Sequence, residues 1–73
     1  MRTPQEGIVV SDPQIVPLFY QGRSMGLRIG VIVRLLNGQH VPAILDPGFF
    51  PSRGIKVMTH LGEEQNLYFA ERV

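Results

Sequence analysis

The chain has no cysteine among its 73 residues. No disulfide can brace it, and no thiolate zinc site can hold it together. It also lacks a strong charge of either sign: seven basic residues, six of them arginine, stand against six acids for a net charge of +1. A nucleic-acid-binding domain ordinarily shows a basic cluster or stripe, and none stands out here. There is no uncharged apolar run long enough to span a membrane, because Arg28 and Arg34 interrupt the only candidate. The first apolar group, Ile8-Val9-Val10, is too short for the core of a signal peptide. A cytoplasmic chain without a membrane partner is the expectation.

Catalytic and cofactor signatures are missing as well. Gly22, Gly26 and Gly30 recur every four residues, but no P-loop lysine follows them. Neither Ser24 nor Ser52 sits in a nucleophile elbow, so a hydrolytic triad with a histidine and Asp12 or Asp46 has no local support. His40 and His60 are isolated from any spaced ligand set and read as surface or edge residues. Glu63-Glu64 reads as a solvated acidic tip. No cofactor and no metal are expected, and the chain reads as non-enzymatic.

What the sequence does contain is a hairpin. Leu27 to Asp46 is its longest apolar stretch and carries an internal Asn37-Gly38 turn. Ile29, Val31, Ile32 and Val33 are β-branched and suit a pleated surface. A two-residue loop at Asn37-Gly38 would set Val33 opposite Pro42, and the two strands would then show their apolar rows on opposite faces. A three-residue loop, Leu36-Asn37-Gly38, with Gly38 left-handed in a bulge, sets Val33 opposite Val41, Val31 opposite Ala43 and Ile29 opposite Leu45. A slip of one residue turns every side chain over, so the bulged loop is preferred. It also pairs Arg28 with Asp46 across the strands.

The remaining segments are shorter. Residues 1–7 read as a disordered or frayed N-terminus, followed over 8–73 by one small domain. Ile8–Val10 reads as a strand ended by Ser11-Asp12-Pro13. Ile15–Gln21 reads as extended, and Pro17 confines it to an edge or a bulge. Gln21–Ser24 reads as a loop, Asp46-Pro47-Gly48 as a turn, and Ile55–His60 as an alternating strand. The last segment, from Asn66 to Val73, fits a strand with Leu67, Phe69 and Val73 on one face, or a helix beginning near Glu63. The strand is preferred. Five to six short strands around a bulged central hairpin imply an all-β fold, a small barrel of SH3-like or OB-like type.

A domain this small buries only about 60% of the surface its unfolded chain exposes, so a partner is a natural source of further stability. Ile32 and Ile44, on the outer face of the hairpin, need cover from an oligomer or partner interface, or from the barrel itself. The leading expectation is therefore a binding or assembly module acting through a homo-oligomer or a protein partner. A second expectation is a single-stranded RNA or DNA binder. Phe49 and Phe50 would stack on bases while Arg53 and Lys56 contact phosphate; Phe49 or Phe50 plugging the open end of the barrel is the alternative, and both hold at once with one ring inside and one out. A third is an oligomeric enzyme that recruits Arg34, Gln39 and His40 from several copies to a symmetry axis.

Overall fold

The computed structural model describes residues 4–62 and 67–73. Six strands form one compact sheet: β1 (Gln5–Val9), β2 (Gln14–Tyr20), β3 (Arg23–Leu35), β4 (His40–Leu45), β5 (Lys56–Leu61) and β6 (Tyr68–Arg72). The described residues contain no helix. The strand order is β1-β5-β6-β4-β3-β2, and β1 also pairs with β3. Following the ladders from β3 through β1, β5, β6 and β4 leads back to β3. All of these pairings are antiparallel except β4 with β6. Among the described residues β2 pairs with β3 alone, which leaves its other side as an edge of the sheet.

The central hairpin has the bulged register. Val31 faces Ala43 and Val33 faces Val41, while Ile32 faces Pro42 and Arg34 faces His40. Leu35 and Gln39 close the loop through Leu35 N–H to the Gln39 carbonyl at 2.8 Å, and Gly38 N–H donates to the Leu35 carbonyl at 2.9 Å. Gly38 has φ +87°, and Asn37 Oδ1 accepts from the Gln39 amide at 2.8 Å. This register turns Val31, Val33 and Leu35 inward with Val41 and Ala43. They join Val9, Leu45, Phe49, Val57 and Ala70 in the core.

The ladder ends at Gly30–Ile44, so the expected Arg28–Asp46 pair does not form. β4 turns away to run beside β6, where the Asp46 amide donates to the Ala70 carbonyl at 3.0 Å. Arg28 instead faces Val16 on β2. β3 begins at Arg23, not near Leu27, and its first half forms a two-stranded arm with β2. The arm turns on two residues alone, Gln21 (φ 53°) and Gly22 (φ 73°), which matches a type I′ loop. Met25 and Gly26 together oppose Leu18, a bulge made with Gly26 at φ +81°. Pro17 thus lies both on the free edge and beside the bulge.

Two end segments differ from expectation in phase. β1 starts at Gln5 and ends at Val9, so Gln5, Glu6 and Gly7 are ladder residues opposite Thr59, Met58 and Val57. β6 is a strand, but Ala70 is its buried residue, and Tyr68 packs against the core. Leu67 and Phe69 are only half-buried. Ala70 pairs with Thr59, whose side chain is wholly buried and donates to the Gln5 carbonyl at 2.9 Å. Glu71, opposite Met58, therefore lies on the outer face and is no intruder in the core. The alternative helix start near Glu63 and the acidic tip Glu63-Glu64 lie outside the described residues.

Candidate interaction surface

The loop after β4 separates its two phenylalanines. Asp46 accepts the Phe49 amide at 3.0 Å, and Gly48 at φ +84° reverses the chain, which turns the Phe49 ring inward. That ring is buried in the core beneath the Arg72 guanidinium, 5.2 Å from its centroid. Phe50 is 69% exposed. One ring plugs the sheet and the other faces water.

The two cations expected to work with these rings are each paired with a carboxylate. Arg53 Nε lies 3.2 Å from Asp12 Oδ1, and Lys56 Nζ lies 2.9 Å from Glu6 Oε1. The hydrogen bond from Lys56 to Glu6, reinforced by the opposite charge, raises the lysine pKa above its ordinary value. Both pairs are exposed, so each contributes little to stability. Their effect on the loop is to neutralise it.

Ile32 and Ile44 point to the same outer face with different outcomes. Ile32 remains 38% exposed, whereas Ile44 is only 7% exposed. The Val16 side chain of neighbouring β2 leans toward Gly30, the residue opposite Ile44: a β-carbon at Gly30 would approach Val16 Cγ2 to 3.2 Å. Val16, Ile32, Pro42, Ile44 and Leu67 border a hollow of about 250 Å³. A neighbouring hollow of about 210 Å³ is bordered by Leu18, Ile44 and Phe69, with Arg28, Asp46 and His60 among its polar residues. The His60 ring stacks on Phe69 at 5.7 Å. Among the described residues, no three His, Asp or Glu gather as they would around a metal ion. No serine there hydrogen-bonds to a histidine. Arg34 and His40 oppose each other beside the β3–β4 loop, both exposed and with Gln39 next in the chain.

Among the described residues, several exposed large apolar side chains gather on the β2–β3 arm. Directly opposed residues share a face, so Ile15 with Ile29, and Pro17 with Leu27, continue the inward row of β3. Ile29 still packs on the core, but beyond it β1 and β4 no longer flank the strand. Ile15 is 69% exposed, Leu27 67% and Phe19 58%. Sequence reasoning missed this surface because Gln21–Ser24 read as a loop and the extended Ile15–Gln21, placed at an edge or a bulge, was given no partner strand. Two signals pointed to it. Ile15, Pro17 and Phe19 alternate on one face, and no Asp or Glu occurs between Pro13 and Leu45. Among the described residues no helix is long and apolar enough to cross a membrane. The chain matches no protein-family model, and no curated protein matches it in sequence.

Proposed function

We propose that this chain is a non-enzymatic assembly module that works by docking the apolar face of its β2–β3 arm onto another protein chain. The observation that carries the reading is the row Ile15, Leu27 and Phe19, more than half exposed on an arm that no other described strand covers. Large apolar side chains grouped on one face of a small domain mark an interaction site. An OB-like barrel is the architecture this reading assumes. The returning circuit of ladders and the single parallel contact, β4 with β6, support it, with β1 and β2 acting as one interrupted first strand.

The nucleic-acid reading has less behind it. It allows one ring inside and one outside, as Phe49 and Phe50 are, but both of its cations, Arg53 and Lys56, face carboxylates.

Site-specific photo-crosslinking in the source cells tests the assembly reading. A photoreactive phenylalanine analogue at position 27 should give covalent protein adducts, and the same group at position 36, on the exposed β3–β4 loop, should not. Equal adducts from both positions, or none from 27, would overturn it.

A further inference from the structure

We propose that the hollow bordered by Leu18, Ile44 and Phe69 binds a small zwitterion with an apolar side chain, that is, a free apolar amino acid. Arg28 borders this hollow, and alternation along β3 turns Arg28 to the side away from Leu27. The site is therefore separate from the bare face of the arm and does not rest on the assembly reading.

The hollow exists because β4 leaves β3. Their ladder stops at Gly30–Ile44, and the Asp46 amide donates instead to the Ala70 carbonyl of β6. Arg28 and Asp46, which a longer ladder would set face to face, border the gap from its two sides with no ion pair between them. The floor is apolar, since Leu18 and Ile44 are both buried. The His60 ring, stacked on Phe69, adds an aromatic wall. The volume of about 210 Å³ falls below the about 300–1,000 Å³ of sites for drug-sized ligands, and suits a molecule the size of an amino acid.

Charge selects the ligand. The ion pairs among the described residues are Arg53 with Asp12 and Lys56 with Glu6, and neither borders this hollow. Arg28, Asp46 and Glu71 border it with no ionic partner. Arg28 uses one Nη1 donor on the Leu27 carbonyl at 3.0 Å, which leaves the rest of its fork for a carboxylate. Asp46 has its amide bonded to Ala70 and its carbonyl to Phe49, so its backbone is held while its carboxylate stays unbonded. Glu71 follows Ala70 on β6 and lies on the same outer face as the hollow. A ligand carboxylate on Arg28 and an ammonium at Asp46 and Glu71 satisfy both signs, with the side chain over Leu18, Ile44 and Phe69. An anion alone would meet two carboxylates, and a cation alone would meet the guanidinium. The charged groups keep contact with water, so binding is weak, with a dissociation constant of about 1 mM.

Titration of the whole chain with L-leucine, followed by amide resonances in NMR, tests this. Saturable shifts should centre on Arg28, Ile44, Asp46, Phe69 and Glu71. Leucinamide, which lacks the carboxylate, and isocaproate, which lacks the ammonium, should each bind at least about tenfold more weakly. Arg28→Gln should abolish the preference for leucine over leucinamide. Asp46→Asn with Glu71→Gln should abolish the preference over isocaproate. All three side chains are exposed, and the spectrum of each variant reports its fold directly. Arg23→Gln, at the tip of the arm and away from the hollow, should leave all three affinities unchanged. No saturable shift up to about 50 mM leucine would overturn the site. Equal binding of the three compounds would overturn the role of charge and with it the zwitterion. Shifts centred on Ile15 and Leu27 would show that leucine goes to the bare face of the arm, and would overturn the site as well.

Discussion

Gly7 on β1 lies so close to Val33 on β3 that a β-carbon at position 7 would collide with the Val33 side chain and press on the Arg34 carbonyl. Val33 is fully buried and cannot give way. Gly7 pairs with Leu35 on one side and Val57 on the other, so the ladder circuit passes through this contact. Gly7→Ala should destabilise the fold by about 1–3 kcal/mol, the usual range for overpacking a close-packed core. A urea titration would show the midpoint fall with little change in slope. An unchanged midpoint would mean that β1 does not lie this close to β3.

The β3–β4 loop makes a second test. Gly38 stands at φ +87° with nothing within 4 Å of where a β-carbon would go, so only backbone conformation opposes a side chain there. Gly38→Val should lose at least 1–2 kcal/mol, since a left-handed backbone is costly and more so for a β-branched residue. Asn37→Asp keeps a side-chain oxygen for the Gln39 amide and should change stability by less than about 0.5 kcal/mol. Chemical denaturation of the two variants side by side decides the matter, and an equal loss would count against the bulged loop.

Ile32 and Ile44 should respond differently to charge, although each is flanked by buried residues on its own strand, Val31 and Val33 for one and Ala43 and Leu45 for the other. Ile44→Lys places an unpaired ammonium at a buried position and should lose several kcal/mol. Ile32→Lys lets the long side chain reach water and should lose less than about 1 kcal/mol. Thermal melting followed by circular dichroism separates the two. Similar melting of both variants would show that the outer face is not divided as described.

Single-stranded oligonucleotides should not bind appreciably at about 0.15 M salt, as measured by fluorescence anisotropy. Replacing Glu6 and Asp12 by Gln and Asn would free Lys56 and Arg53, the two cations those acids neutralise. Any binding this creates should weaken with salt by about 0.7 in log K per phosphate contacted. Tight binding by the unaltered chain, lost on Phe50→Ala, would restore the nucleic-acid reading.

The hairpin register was legible in the sequence because it depends on period-two alternation and on a turn residue that tolerates positive φ. Val31, Val33, Val41 and Ala43 share a face in only one of the two loop lengths, and burial of that face selects it. The all-β class, the edge position of Pro17 and the strand at the C-terminal end rest on the same local rules. Which face of β6 turns inward was not local. Leu67 and Phe69 are more apolar than Ala70, yet the parallel contact with β4 and the pairing with Thr59 bring Ala70 to the core. The cover over Ile44, the carboxylates beside Arg53 and Lys56, and the bare face of Ile15 and Leu27 likewise depend on where the ladder circuit closes. Each joins segments up to some 50 residues apart, and alternation within one strand carries no information about which distant strand stops short of its neighbour.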